Sequence, residues 1–209
     1  MPVAHAALVD GYIFTDGSIN EEFNTEAQRQ LIISLADEAI SAGQGNTTAV
    51  LDPANNVPLT FSALKQIMIE GEDVPFSETK QAYVRLIINQ LGGEQVKGKD
   101  AEDYFFGANY SFTPKPLSLQ IASANNDLSG AYKTWNIDVT AEAATINKPV
   151  ITIWGSNDGV IPTANIDLIR ETVATSNFTS VVVENSFHFP QNDEPQTFVS
   201  AVLAFLASL

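Results

Sequence analysis

Two side chains in the last third of the sequence have the types and spacing to do chemistry together. Asp158 lies in Gly155-Ser156-Asn157-Asp158-Gly159, and His188 lies in Asn185-Ser186-Phe187-His188-Phe189-Pro190, 30 residues further on. Each follows an apolar, β-rich run: Pro149 to Trp154 before the acid, and Phe178 to Val183 before the histidine. A helical stripe separates the two runs. Strand, helix, strand in that order predicts parallel neighbours, with both turns at one rim of the sheet. A carboxylate beside an imidazole holds one ring tautomer and stabilises the cation, so that the ring can act as a general base. That is the charge-orienting half of a Ser-His-Asp arrangement. The nucleophile that would complete it is not visible in the 209 residues.

Composition bounds what else the chain can be. A hydrophobic content of 44% supports a packed core. The formal net charge of −15 disfavours nucleic acid and anionic membrane surfaces as partners, because both repel a negative surface. There is no cysteine, which excludes a disulfide scaffold, a thiol nucleophile and a cysteine-ligated metal. Only two histidines are present, His5 and His188, far apart in the chain, with scattered carboxylates, so no metal-ligand set is expected. Phosphate-cradling glycine loops are absent, and no cofactor is expected. Met1-Pro2-Val3-Ala4-His5 does not open a signal peptide, and no run of 18 apolar residues occurs, so no membrane span and a cytoplasmic location are expected.

The elements that must position the pair can be read along the chain. Ala6 to Phe14 reads as a buried strand ending at the turn Asp16-Gly17-Ser18. Thr25 to Ser41 reads as a helix, with Thr25 and Gln28 spaced as a capping box and Gly43 placed to stop it. A polar loop follows to Pro58. Phe61, Leu64, Ile67 and Met68 form a second helical stripe, Tyr83 to Leu91 a third after Ser77, and Ala101 to Gly107 a short fourth. In the last third, Thr163 to Thr175 predicts a helix with Ile166, Ile169 and Val173 inward. Pro195 to Leu209 predicts another, with Phe198, Val202, Phe205 and Leu206 as its stripe and Pro195 in the first turn.

Taken together, these residues resemble the α/β-hydrolase family. Lys148-Pro149 through Asp158-Gly159-Val160-Ile161-Pro162 is similar to the segment around that family's acid, where a strand ends in Gly-x-x-Asp ahead of an apolar residue and proline. Asn185 to Pro195 resembles its histidine turn, which leads through Glu194-Pro195 into a helix ending in Phe205-Leu206. Asp138-Val139-Thr140 resembles the usual approach to the acid strand. The resemblance covers 135 to 209 closely. It implies an α/β fold in three parts: 1–19 as a first core strand and turn, 20–134 as a mostly helical cap, and 135–209 as the C-terminal part of the core. The chain departs from the family pattern in lacking the nucleophile elbow Gly-x-Ser-x-Gly and the His-Gly oxyanion loop. Ser18 is the nearest nucleophile candidate, without the flanking glycines.

The resemblance implies Asp158 as orienter and His188 as base. Asp16 is the runner-up orienter, since some relatives place their acid after the first of these strands. Phe187, Phe189 and Tyr104 are candidates to line an apolar substrate cleft, and core packing is the alternative for each. For His5 a structural role is expected. The activity implied is hydrolysis of an ester or similar small carbonyl substrate, with the serine outside this sequence. The expected partners are then a small-molecule substrate and either a second polypeptide bearing the missing strands or another copy of the chain. The rival readings are a non-catalytic binding module and a fragment of a hydrolase.

Overall fold

The computed structural model describes residues 9–51, 57–70 and 138–209. Their elements are β1 (Tyr12–Thr15), α1 (Glu21–Ser41), β2 (Thr48–Leu51), β3 (Pro58–Thr60), α2 (Phe61–Glu70), α3 (Thr140–Ala143), β4 (Val150–Gly155), α4 (Ala164–Thr172), β5 (Phe178–Val183), α5 (Pro190–Asp193) and α6 (Pro195–Leu206). Three strands form a parallel sheet in the order β1-β4-β5. This is a parallel sheet with flanking helices, the α/β architecture that the sequence predicts. The register sets Thr15 against Ile153 and Gly155 against Val183, so the C-terminal ends of all three strands share one rim.

The central strand explains why the sheet holds. Every residue of β4 is buried, as its unbroken run Val150-Ile151-Thr152-Ile153-Trp154 requires of a strand covered on both faces. On one face Val150 and Trp154 pack with Ile161, Ile166 and Ile169 of the acid turn and α4. On the other, Ile151 and Ile153 pack with Val183 and Phe205, so α6 closes that side. A separate cluster of Ile32, Val50, Leu64 and Met68 joins α1, α2 and the antiparallel β2–β3 pair.

Several expectations are corrected. The first strand begins at Tyr12 rather than Ala6; Val9 to Gly11 lie outside it, and residues 1–8 are outside the described residues. The first helix starts four residues earlier than its capping box implied. Asn20 is its cap, accepting from the Phe23 N–H at 2.8 Å, with Glu21 and Glu22 favourably placed in the first turn. Thr25 instead donates to Glu21 O one turn back, at 2.8 Å. The polar loop before Pro58 contains β2, too short for periodicity to reveal. Leu206 is 52% exposed, not part of the inner face of α6. The third and fourth helices and the boundary near 134 lie outside the described residues. No helix among the described residues is long and apolar enough to cross a membrane.

Two side chains tie the segments together. Arg29 pairs with Glu26 on α1 at 2.7 Å and also donates to Met68 O of α2 at 2.9 Å. Asp138 accepts from both the N–H and the hydroxyl of Thr140, which holds its carboxyl below the usual carboxylate range, while Val139 N–H donates to Ile19 O beside β1.

The Glu26–Arg29 pair predicts an acid-side signature. The hydrogen bond from Arg29 holds the Glu26 carboxyl below its ordinary value. A lowered folded-state value contributes stability that is present above the unfolded value of about 4.3 and is lost as pH falls through the folded one. Urea denaturation at pH 7 and pH 3 is expected to show Glu26→Gln costing about 0.3–0.5 kcal/mol at pH 7, the size of a solvent-screened helix pair, and less at pH 3.

Candidate active site

The acid turn is built so that one carboxylate points at the rim of the sheet. β4 ends at Gly155, and the chain turns back on itself through Asp158. Asp158 Oδ1 accepts from the Val160 N–H at 2.9 Å and from the Ile161 N–H at 2.8 Å, an Asx-type closure. The carbonyls of the turn are satisfied as well. Ile161 O accepts from Trp154 Nε1 at 2.7 Å, Pro162 O from Asn165 Nδ2 at 3.0 Å, and Val160 O from Gln28 Nε2 of α1 at 2.5 Å. With Oδ1 saturated, Oδ2 is left for a third donor.

That donor is His188. Its Nδ1 lies 3.1 Å from Asp158 Oδ2, with the carboxylate side chain fully buried and the imidazole 18% exposed. An ionised carboxylate only accepts, so Nδ1 carries the proton and, in the neutral ring, Nε2 holds the free lone pair. The arrangement can therefore take a proton at Nε2 and stabilise the resulting cation through Asp158. The parallel pairing of β4 with β5 is what brings residues 30 positions apart into bonding distance.

The histidine turn is held from two sides. Asn185 adopts a left-handed φ of 59° at the exit of β5, and its N–H donates to Ser156 Oγ of the acid turn at 3.0 Å. Asn157 N–H donates to Ser186 O at 2.9 Å. From the far side, Asp193 Oδ2 in α5 accepts from the Phe187 N–H at 2.8 Å and from Ser186 Oγ at 3.2 Å. Gly155 is obligatory here. A Cβ at that position would lie 1.9 Å from Phe187 O, so the backbones of the two turns cross through the space a side chain would fill.

The remaining candidates divide. Phe189 stacks obliquely on the imidazole, with ring centroids 4.7 Å apart, and Phe187 is half-buried. Tyr104 and His5 lie outside the described residues. Ser18 Oγ donates to Asn20 O at 2.8 Å and accepts from the Asn20 N–H at 3.2 Å, so its hydroxyl serves the turn into α1; among the described residues no hydrogen bond joins it to His188. Asp16, the runner-up orienter, is brought to the same rim by the pairing of β1 with β4. One ligand atom from each of Asp16, Asp158 and His188 lies within 4.8 Å of the other two. The hydrogen-bonded orienter is Asp158. Sequence reasoning missed Gln28 by assigning it to a cap, and missed Asp193, whose only signal was an acid five residues after the histidine, at the end of a short helix.

No family profile matches the chain, and no curated relative matches it. Among solved structures it is similar to a proline iminopeptidase from Mycobacterium smegmatis, at 12% identity and a TM-score of 0.45, covering 99% of this chain and 59% of that one. It is similar to MGS-M2, an α/β-hydrolase enzyme from a Medee basin deep-sea metagenome library, at 12% identity and a TM-score of 0.42, covering 98% and 58%. It is also similar to a hydrolase from Pseudomonas aeruginosa PA01, at 17% identity and a TM-score of 0.40, covering 98% and 58%. The chain thus spans under two thirds of the length of each.

The close crossing at Gly155 makes a sharp prediction. Gly155→Ala drives a methyl group into backbone that cannot yield, and is expected to cost about 3 kcal/mol or more in chemical denaturation. Gly43→Ala meets nothing within 4 Å and should cost only its left-handed φ of 79°, about 1–2 kcal/mol. Equal losses at the two positions would contradict the crossing.

Proposed function

We propose that this chain is the C-terminal, cap-bearing part of an α/β-hydrolase-type enzyme that cleaves an ester or similar small carbonyl compound. Residues 20–134 form the cap in this reading, and 135–209 carry the acid and histidine turns. The observation that supports it most is the 3.1 Å bond between the buried Asp158 and the partly exposed His188. His188 takes the proton of an attacking serine at Nε2, and Asp158 holds the ring and stabilises its cation. The serine oxygen bonds to the acyl carbon, the ester C–O bond breaks, and His188 returns its proton to the departing alcohol. The neutral ring then takes a proton from the water that attacks the acyl-enzyme and gives it to the serine as the acid is released. No cofactor enters these steps. Phe187, Phe189 and Tyr104 are the candidates in this reading for an apolar substrate cleft.

The serine comes from polypeptide outside these 209 residues, because no Gly-x-Ser-x-Gly elbow occurs among them and the Ser18 hydroxyl is engaged by Asn20. Two features of the surface support association with a second polypeptide or another copy. Among the described residues β1 stands at the edge of the sheet, with Ile13 41% exposed. On α6, Val199, Leu203 and Leu206 recur at helical spacing and are each more than half exposed.

Hydrolysis of p-nitrophenyl acetate by the purified protein, together with any chain that accompanies it, tests the chemistry. His188→Ala and Asp158→Asn are each expected to lower kcat by about 10⁴-fold, and His5→Ala to leave it unchanged. Activity that survives His188→Ala would defeat the roles given to this pair, and no activity with or without an accompanying chain would favour a non-catalytic module. Size-exclusion chromatography with intact mass tests the association, and a well-behaved monomer carrying no second chain would overturn it.

A further inference from the structure

Helix α1 sends a polar side chain into the protein where an apolar one would pack as well. Gln28 is 2% exposed, and Asn24, one turn earlier, is fully buried. Burying an amide costs free energy unless each end is bonded, so its partner indicates its use. Gln28 Nε2 donates to Val160 O at 2.5 Å. Asn24 Nδ2 reaches the same oxygen only at 3.5 Å, while its Oδ1 accepts from Asn165 Nδ2 at 3.1 Å.

Val160 O is one end of a peptide unit whose other end is the Ile161 N–H. That N–H donates to Asp158 Oδ1 at 2.8 Å. A single planar group thus accepts from Gln28 and donates to the acid, and a hydrogen bond at either end polarises the group and strengthens the other. The line runs on from Asp158 Oδ2 to His188 Nδ1 at 3.1 Å. Three hydrogen bonds therefore join α1 to the imidazole: Gln28 to Val160 O, Ile161 N–H to Asp158, and His188 to Asp158.

We propose that Gln28 is a positioning residue for His188, acting through the 160–161 peptide and the Asp158 carboxylate. The proposal rests on the catalytic reading of Asp158 and His188. Gln28 touches no reacting atom in that reading; it fixes the plane of the peptide that saturates Oδ1, and so fixes where Oδ2 points. Elsewhere on α1, Ile32 packs with Leu64 and Met68 of α2, and Arg29 donates to Met68 O, so the helix is anchored there independently of Val160.

The experiment uses the whole chain, ¹⁵N-labelled, in a His5→Gln background that leaves one histidine to assign. Two signals are followed by NMR: the low-field His188 Nδ1 proton, and the hydrogen exchange of the Ile161 amide relative to that of Ile169. Gln28→Met keeps the volume and removes the donor. It is expected to speed Ile161 exchange about tenfold, the equivalent of one lost hydrogen bond, and to shift or abolish the His188 proton. Ile32→Val loosens the same helix without touching Val160 and should move neither signal. Gln28→Glu returns a donor only while its carboxyl is protonated, so both signals are expected to recover on acidification relative to Ile169. A folded Gln28→Met protein with both signals unchanged overturns the proposal, as does Ile32→Val reproducing its effects. Should Gln28→Met not fold, Gln28→Glu decides, and signals that fail to recover on acidification overturn it. None of these readouts needs turnover, so an inactive protein would defeat the hydrolase reading while leaving this result standing.

Discussion

A carboxylate removed from water is tolerable only when its charge is answered, and at Asp158 it is answered three times. Two backbone N–H groups take one oxygen and the imidazole takes the other. A buried carboxylate without such partners would cost several kcal/mol and would take up a proton instead. Much of the local architecture follows from this requirement. The turn from Gly155 to Pro162 folds back so that its own amides face the acid. The carbonyls that this folding turns away must then find donors elsewhere, and Trp154, Asn165 and Gln28 supply them. A side chain on the central strand, one on α4 and one on α1 are thus committed to supporting a single carboxylate.

The histidine turn meets this construction with little slack. Ser156 Oγ and the Asn157 N–H bind it from the acid side, Asp193 binds it from α5, and the absence of a side chain at Gly155 lets the two backbones pass. Each contact alone contributes about 1 kcal/mol. Their value here is geometric: a base must lie within hydrogen-bond reach of the proton it takes, and a ring free to rotate would miss it.

What the sequence disclosed followed from how local each signal was. The buried run of β4 announced itself, because a strand covered on both faces has no alternative to consecutive apolar residues, and the β-branched valines of β5 marked a strand by propensity. The inward face of α4 was equally legible in Ile166, Ile169 and Val173, all of which are buried. Asp158 and His188 could be paired on paper because each followed such a strand. Signals that compete locally misled. Asn20 and Thr25 are both good helix caps within five residues of each other, and which one serves depends on where the chain leaves β1. Gln28 fits a capping box by spacing, yet its partner is 132 residues away in sequence, at Val160, and no local pattern records that. Asp16 could be named as an alternative orienter only through the family resemblance, because its place at the rim comes from the alignment of β1 with β4, a property of the sheet.

Because the meeting of acid and base is set by the hydrogen-bonded ladder between β4 and β5, the crossover between them is free to vary in a way the strands are not. Lengthening or shortening the surface turn at 174–177 between α4 and β5 leaves Gly155 opposite Val183, and the two side chains still converge. Sliding β5 by a single residue along its neighbour would carry the histidine turn about 3.3 Å along the strand and turn every inward valine outward. Evolutionary drift in this part of the molecule is therefore expected to accumulate as insertions and deletions in the connection, while the two strands it joins keep their count.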